Sequence, residues 1–414
     1  MQKLPIAITL LLLISACGGS DDDDPVAVAT CSTARVNGAV EANRITFDGA
    51  GTLGIFDPSI TRDPGSGRLW MSYSAVDESS YYVPTTYWGV SICLAYSDDN
   101  GGSWQDAGRV VASHTEQRVG PVTSPPIAAD SPSIWQSEMS SLIYDPGATV
   151  DERWKIIWVQ YLHANNTSYF ADFSWIAMKA ASTPAGLVNA TPVKLFGGYG
   201  INPEGGNAGS PVYSPIAAAP ALQLNTDLTK TIAGANLAEL DKCVFAEPGL
   251  YASSSAVYLA IFCADAATAP VTEYVVYFRC NSPCDMTQAA SWEYVGRLLT
   301  PADAFDATGE DHFQAPSLVE KGGNIYLIVT PVNTTSGNLY YGCEVYKFVD
   351  IDSITLERNA GILVSHGSIS GEASVHSGAC DAYDGLQGGI VISKFNPLNA
   401  PETFRIYKTL VSLP

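Results

Sequence analysis

Phe56-Asp57-Pro58-Ser59-Ile60, followed after a turn at 63–67 by Leu69-Trp70-Met71-Ser72-Tyr73-Ser74, is the stretch from which the fold can be read. A short polar, proline-containing lead opens into an apolar strand. A turn rich in Asp, Pro and Gly reverses the chain, and an aromatic-rich strand returns. The phrase comes back four more times. The second copy is Glu138-Met139-Ser140-Ser141-Leu142-Ile143-Tyr144, a turn at 145–153, then 154–161 (WKIIWVQY). The third is Glu247-Pro248-Gly249-Leu250-Tyr251, then 256–263 (AVYLAIFC). The fourth is Gln314-Ala315-Pro316-Ser317-Leu318-Val319, a turn at 321–324, then 325–330 (IYLIVT). The fifth is weaker: His376-Ser377-Gly378-Ala379-Cys380, then 389–394 (GIVISK).

Working outward, each pair leads into a third strand and usually a fourth. These are 90–97 with 109–111, 174–179 with 193–196, 274–279 with 292–299, and 340–348 with 361–364, while 404–413 closes the chain. Each unit is then a four-stranded meander of roughly 65 to 110 residues, and a single such sheet cannot bury both faces. Stacking the sheets radially solves that problem, so the fold class is all-β: a β-propeller, five-bladed, with six blades as runner-up. The segment 181–240, rich in Gly, Ala, Pro and Asn, reads as a surface insertion, with room for a sixth blade. A pair of unrelated β-sandwiches is the competing arrangement.

Composition agrees with a strand-and-turn chain. Hydrophobic residues make up 46% of the 414, charged residues only 15%, and there are 21 Tyr and 8 Trp. A net charge of −21, with the basic residues scattered, excludes nucleic acid as a partner and argues against docking on anionic lipid headgroups. Oligomeric state is left open.

The chain begins with Lys3, an apolar run at 6–14 (IAITLLLLI), and Ile14-Ser15-Ala16-Cys17. The run is too short for a bilayer, which needs about 20 residues, but suits the core of a signal peptide. Its end resembles the bacterial lipobox, which implies cleavage before Cys17 and lipidation on it. The partner there is the membrane, through a lipid anchor. Gly18 after that cysteine implies the outer membrane or cell surface. The 18–24 stretch (GGSDDDD) reads as a solvated tether. The expected organisation is a signal peptide at 1–16, a lipidated cysteine and acidic tether at 17–35, and one propeller domain at 36–414.

The other cysteines, at 31, 93, 243, 263, 280, 284, 343 and 380, are even in number, which in an exported chain suggests disulfides. Cys280 with Cys284 closes a tight loop and Cys243 with Cys263 staples neighbouring strands. Cys343 with Cys380 and Cys31 with Cys93 follow by elimination. No CxxC pair occurs and the five His have no ligand-like spacing, so no metal site is expected. No cofactor is expected either, and structural calcium is not indicated.

Ser97-Asp98-Asp99-Asn100-Gly101-Gly102-Ser103-Trp104 matches Ser-x-Asp-x-Gly-x-Ser-Trp and resembles the Asp box of sialidase-like propellers. Ser97, Asp99, Gly101, Ser103 and Trp104 have structural roles in that motif: a carboxylate bonding turn N–H groups, a glycine for positive φ, and a tryptophan between sheets. A sialidase proper is disfavoured, since only Arg44-Ile45-Thr46 approaches its Arg-Ile-Pro phrase.

In a propeller the first strands of the blades line the channel. That places Asp57, Glu138, Glu247, Gln314 and His376 around one mouth, with Asp311, His312 and Asp381 nearby. Carboxylates from separate blades suit glycoside hydrolysis, where one is acid and another base or nucleophile at about 5 to 9.5 Å. The 56–60 and 69–74 phrases, with Gln314-Ala315-Pro316-Ser317-Leu318 and 325–327, resemble blade starts of five-bladed glycosidases of the arabinanase and xylosidase type (family 43 and relatives). That resemblance implies Asp57 as general base. It asks for a Glu-x-Pro general acid where this chain has Gln314. Glu138 and Glu247 are therefore the acid candidates, Glu247 alternatively modulating its neighbours. Gln314, His312, His376 and Asp311, with Tyr87 and Trp88 of the aromatic loop 81–88, are the substrate-binding candidates. The expected partner is a poly- or oligosaccharide and the expected activity glycosidic. The other reading is a non-catalytic propeller binding glycan or protein at the same mouth.

Overall fold

The computed structural model describes residues 36–37, 41–48, 51–79, 87–118, 131–164, 167–168, 174–197, 240, 243–265, 271–288, 291–334, 339–371, 376–396 and 402–414. Strand dominates them, arranged as five meanders. The first runs Gly54–Arg62, Leu69–Ser79, Tyr87–Ser97 and Gln105–Val111. The second runs Ser131–Tyr144, Trp154–Ala164, Ser174–Ala181 and Val193–Gly197, with His114–Arg118 on the free side of its lead strand. The third is Cys243–Ala252, Ala256–Asp265, Thr272–Asn281 and Trp292–Leu299. The fourth is His312–Lys321, Asn324–Asn333, Gly342–Asp350 and Ser365–Ser370. Its last strand was expected at 361–364, but Ile362–Leu363 instead forms a small hairpin with Arg358–Asn359. One helix, Pro301–Thr308, lies before the fourth meander. Thr300 accepts from the Asp303 N–H and Asp303 from the Thr300 N–H, Pro301 opens the helix, and Gly309 ends it.

The fifth meander, His376–Asp381, Val391–Phe395 and Phe404–Lys408, is one strand short. Val36–Asn37 pairs with Ile369–Ser370 of the fourth meander, and residues 44–45 then run beside the last strand of the fifth. Arg44 bridges Tyr407 antiparallel, and Ile45 N–H donates to Ile406 O at 2.8 Å. Phe404 N–H donates to Leu53 O at 2.9 Å, which joins the last meander to the first in one sheet. The two ends of the fold are thus stitched together by backbone.

Five apolar clusters follow from the two-faced burial of these sheets. One lies between each successive pair of meanders, and the fifth packs Ile55, Tyr73 and Trp104 against Val391 and Ile406, between first and last. The lead strands likewise touch in a cycle: 54–62 beside 131–144, then 243–252, 312–321 and 376–381, which returns to 54–62.

Every lead strand carries a bulge at the same place. The ladder slips between Phe56 and Ser59, Glu138 and Ser141, Ala246 and Pro248, Gln314 and Ser317, and Gly378 and Asp381. In each bulge one non-glycine residue has positive φ: Asp57, Met139, Glu247, Ala315 and Ala379. Such a conformation is strained for an L-residue and persists only when surroundings hold it. Neighbouring meanders do so. The freed N–H of Asp57 donates to Ser393 Oγ (2.9 Å), that of Met139 to Ser74 Oγ (3.2 Å), that of Ala315 to Glu247 Oε2 (2.7 Å) and that of Ala379 to Thr330 Oγ1 (2.8 Å). A bulge residue without a ladder donor tolerates proline, hence Pro58, Pro248 and Pro316.

Two positions past each positive-φ residue a second ring forms. Ser59 Oγ accepts from Leu142 N–H (3.0 Å) and Ser141 Oγ from Leu250 N–H (2.9 Å). Gly249 packs directly on Pro316, Ser317 donates to Asp381, and Asp381 accepts from Ile60 N–H. Asp381 therefore ties the last lead strand to both of its neighbours.

Disulfides join Cys243 to Cys263, Cys280 to Cys284, and Cys343 to Cys380, the last crossing from the fourth meander to the fifth. Cys93 is a buried free thiol, and the partner assigned to it, Cys31, lies outside the described residues. In the turn at 97–104, Asp99 accepts from the N–H and hydroxyl of Ser103 (2.8 and 2.7 Å) and from Ser97 (2.8 Å). Gly101 takes φ 89°, and Trp104 is buried in the core between first and last meanders. The hydrogen bonds to the Asp99 carboxylate pull its pKa down to about 2.

Candidate functional site

The bulges surround a narrow axial cavity lined by Asp57, Met139, Glu247, Ala315 and Ala379 and the residues that follow each. By register, the counterparts of Asp57 and Glu247 are Met139, Ala315 and Ala379. Glu138 and Gln314 stand one residue earlier and His376 three, a correction to the alignment read from the sequence. A bulge rotates consecutive side chains toward the axis, so acids one residue apart in register still converge.

Asp57, Glu138 and Glu247 sit on the first, second and third lead strands and act on one another electrostatically. Asp57 is half-buried, and Glu138 and Glu247 are each 7% exposed. Burial lifts the Asp57 carboxyl well above its ordinary range, Glu138 and then Glu247 lift it further, and the Ser74 hydroxyl (3.3 Å) and Met139 N–H oppose. Burial pushes Glu138 up to about 7, with Glu247 adding and a hydrogen bond from Tyr161 subtracting. Burial also raises Glu247, against the Tyr340 hydroxyl and the Ala315 N–H. Carboxyl groups so coupled titrate as one set, and the charge of one opposes ionisation of the next.

A second layer stands behind Glu247. Tyr340 OH is in hydrogen-bond contact with Glu247 Oε1 and lies 2.8 Å from Gln314 Oε1. Gln314 Nε2 is 2.8 Å from His312 Nε2, and His312 Nδ1 is 3.1 Å from Glu273 Oε2. His312 is 2% exposed, and burial drops its pKa to about 4, so its ring is neutral. The His376 ring stacks on Tyr340 at 3.8 Å between centroids, and burial lowers its pKa to about 4 too. Burial, with help from Glu247 and Asp311, brings Glu273 up to about 7.

Of the residues singled out from sequence, Asp57, Glu138, Glu247, Gln314, His312 and His376 come together here. The Asp311 carboxylate instead accepts from the Thr334 N–H and hydroxyl (2.8 and 2.6 Å). Tyr87 and Trp88 begin a strand opposite Ser79 and Glu78, and their side chains, like residues 81–86, lie outside the described set. Cys17 also lies outside it. Tyr161, Tyr340, Glu273 and Ser74 were missed, because they come from second and third strands or, for Tyr340, from the short Leu339–Tyr340 strand before Gly342–Asp350, and no local phrase marks them. Among the described residues no group of three His, Cys, Asp or Glu side chains is placed to hold a metal ion.

No family model and no curated protein matches the chain. Solved structures do align with it. A thermostable family-43 glycoside hydrolase is 10% identical over 87% of this chain and 91% of its own, with a TM-score of 0.43. A family 117 glycoside hydrolase from Zobellia galactanivorans is 11% identical over 91% and 89%, at 0.44. An α-L-arabinanase of Cellvibrio cellulosa is 13% identical over 86% and 91%, at 0.42.

Proposed function

We propose that residues 36–414 form one five-bladed β-propeller acting on carbohydrate outside the cytoplasm, as a glycoside hydrolase of poly- or oligosaccharide. Support for five blades comes from the cyclic packing of the lead strands. In particular, the Leu250 N–H bond to Ser141 leaves no gap for a further inner strand between second and third meanders.

One observation carries the activity: buried acids from three lead strands converge, Glu138 and Glu247 both raising Asp57 and Glu247 raising Glu138. Asp57 is the general base, drawing a proton from water as that water attacks the anomeric carbon. Glu138 or Glu247 keeps a proton near neutral pH and delivers it to the departing glycosidic oxygen. The raised Glu138 and Glu247 suit the donor's part, since a donor works best with a pKa near the operating pH, while Asp57, itself lifted by burial and by both neighbours, takes the base's part only in the ionised form. Gln314, an amide where the family-43 resemblance asks for an acid, cannot be that donor. The disulfides fit an oxidising compartment. Lipid attachment at Cys17 is the remaining part of the proposal.

A binding propeller without catalysis is the second reading, favoured by the slight exposure of Glu138 and Glu247. The test is to incubate protein cut after Asp24 with plant, algal and bacterial polysaccharides, reading binding and product release together. The hydrolase reading expects release that falls by about 10²- to 10⁴-fold in Asp57→Asn with binding retained. Binding without release, unaltered in Asp57→Asn, overturns it.

A further inference from the structure

The chain Glu273, His312, Gln314, Tyr340 and Glu247 spans the third and fourth meanders, and each link has one hydrogen-bonding sense that makes chemical sense. A neutral His312 carries a single ring proton. Above the raised pKa of Glu273, about 7, its carboxylate 3.1 Å from Nδ1 keeps that proton on Nδ1 and leaves Nε2 as a bare acceptor. Gln314 must then turn its NH₂ to His312, which it does at 2.8 Å, and so its carbonyl oxygen faces Tyr340. Tyr340 has one proton and two candidate acceptors, Gln314 Oε1 and Glu247 Oε1. Both contacts are hydrogen bonds at once only when Glu247 bears its own proton, donating to the Tyr340 oxygen while Tyr340 donates to Gln314. With Glu247 ionised, Tyr340 turns to it, and the Gln314 oxygen loses its donor inside a buried site, which is costly.

We propose that Glu273, His312 and Gln314 are positioning residues that fix the direction of this hydrogen-bond chain and thereby hold Glu247 in its proton-donating form. The inference rests on the hydrolase reading and chooses within it: Glu247 is the acid, and Glu138 the neighbour whose charge state it senses. No atom of the chain other than the Glu247 carboxyl touches the reacting bond. The groups facing Glu247 are Asp57 and Glu138 across the axis, Tyr340 with the Ala315 N–H beside it, and Glu273 with His312 behind.

The test reads the proton directly and needs no sugar. Infrared difference spectra between wild type and Glu247→Gln, taken across a pH series, isolate the protonated-carboxyl band of Glu247. In His312→Phe that band is expected to titrate about one pH unit lower, about tenfold in proton affinity, the scale of one hydrogen bond made in one charge state only. Gln314→Met breaks the chain one link nearer and is expected to move the band in the same direction, which keeps the test open if the buried His312 variant fails to fold. Tyr251→Phe, in the third meander but off the chain, is expected to leave it in place. An unmoved band in both chain variants, or an equal shift in Tyr251→Phe, overturns the relay. A shifted band in a protein that cleaves no polysaccharide supports the relay and overturns the hydrolase reading alone.

Discussion

Replacing Asp381 tests how the ring of lead strands is held. Its Oδ2 accepts from Ile60 N–H on the first lead strand and its Oδ1 from Ser317 on the fourth, and the residue is 2% exposed. In Asp381→Ala both partners are left buried without an acceptor. At about 1–3 kcal/mol for each such group, the loss is expected near 4 kcal/mol. Asp381→Asn behaves differently. Its amide oxygen still accepts from Ile60 and its NH₂ donates to Ser317 Oγ, mimicking the protonated acid. Burial raises the Asp381 pKa from 3.8 to about 7. Between those values the folded protein keeps a proton that the unfolded chain releases, so wild-type stability falls as pH rises through that window. At about 1.4 kcal/mol per unit, the fall reaches as much as about 4 kcal/mol, and Asn has no proton to lose. Urea unfolding followed by tryptophan fluorescence, disulfides intact, is the assay. Near pH 4 the Asn variant is expected within about 1 kcal/mol of wild type, and near pH 8 it is expected to be the more stable. A gap identical at both pH values, or an Ala variant as stable as wild type, refutes the reasoning.

Gly249→Ala is expected to destabilise by about 1–3 kcal/mol, because the new Cβ would stand 2.2 Å from Pro316 O on backbone that cannot yield cheaply; differential scanning calorimetry checks it. Lys155→Met strands the Asp145 carboxylate, whose ion pair at 2.5 Å is 3% exposed on both sides. About 3–5 kcal/mol should be lost in chemical denaturation, and much of it regained in the Lys155→Met, Asp145→Leu double variant.

Much of this fold was legible because period-two strands and turn residues are local signals. The phrases at Asp57, Glu138, Glu247 and Gln314 fall on the lead strands, two cysteine pairs join as spacing suggested, and Cys343 joins Cys380 as elimination left it. The bulge register was not legible. Positive φ falls on Asp, Met, Glu and two Ala, so residue type does not mark it, and the proline after it appears in only three copies. Ser140 and Cys380 take that place in the others. The joining of the last meander to the first was hidden because Ile45 pairs with Ile406, a contact no local pattern encodes. Tyr340 and Glu273 were invisible for the same reason: their importance comes from what a distant strand brings opposite them.

Side-chain carboxyl ¹³C NMR of Asp57 and Glu138, titrated in wild type and in Glu247→Gln, asks most directly whether acids from three separate strands share one opening. In Glu247→Gln the high-pH part of both titrations, where Glu247 has given up its proton, should move to lower pH, since the Glu247 charge raises each of them. Titrations that stay where they were in both residues would mean that the three carboxyls do not meet.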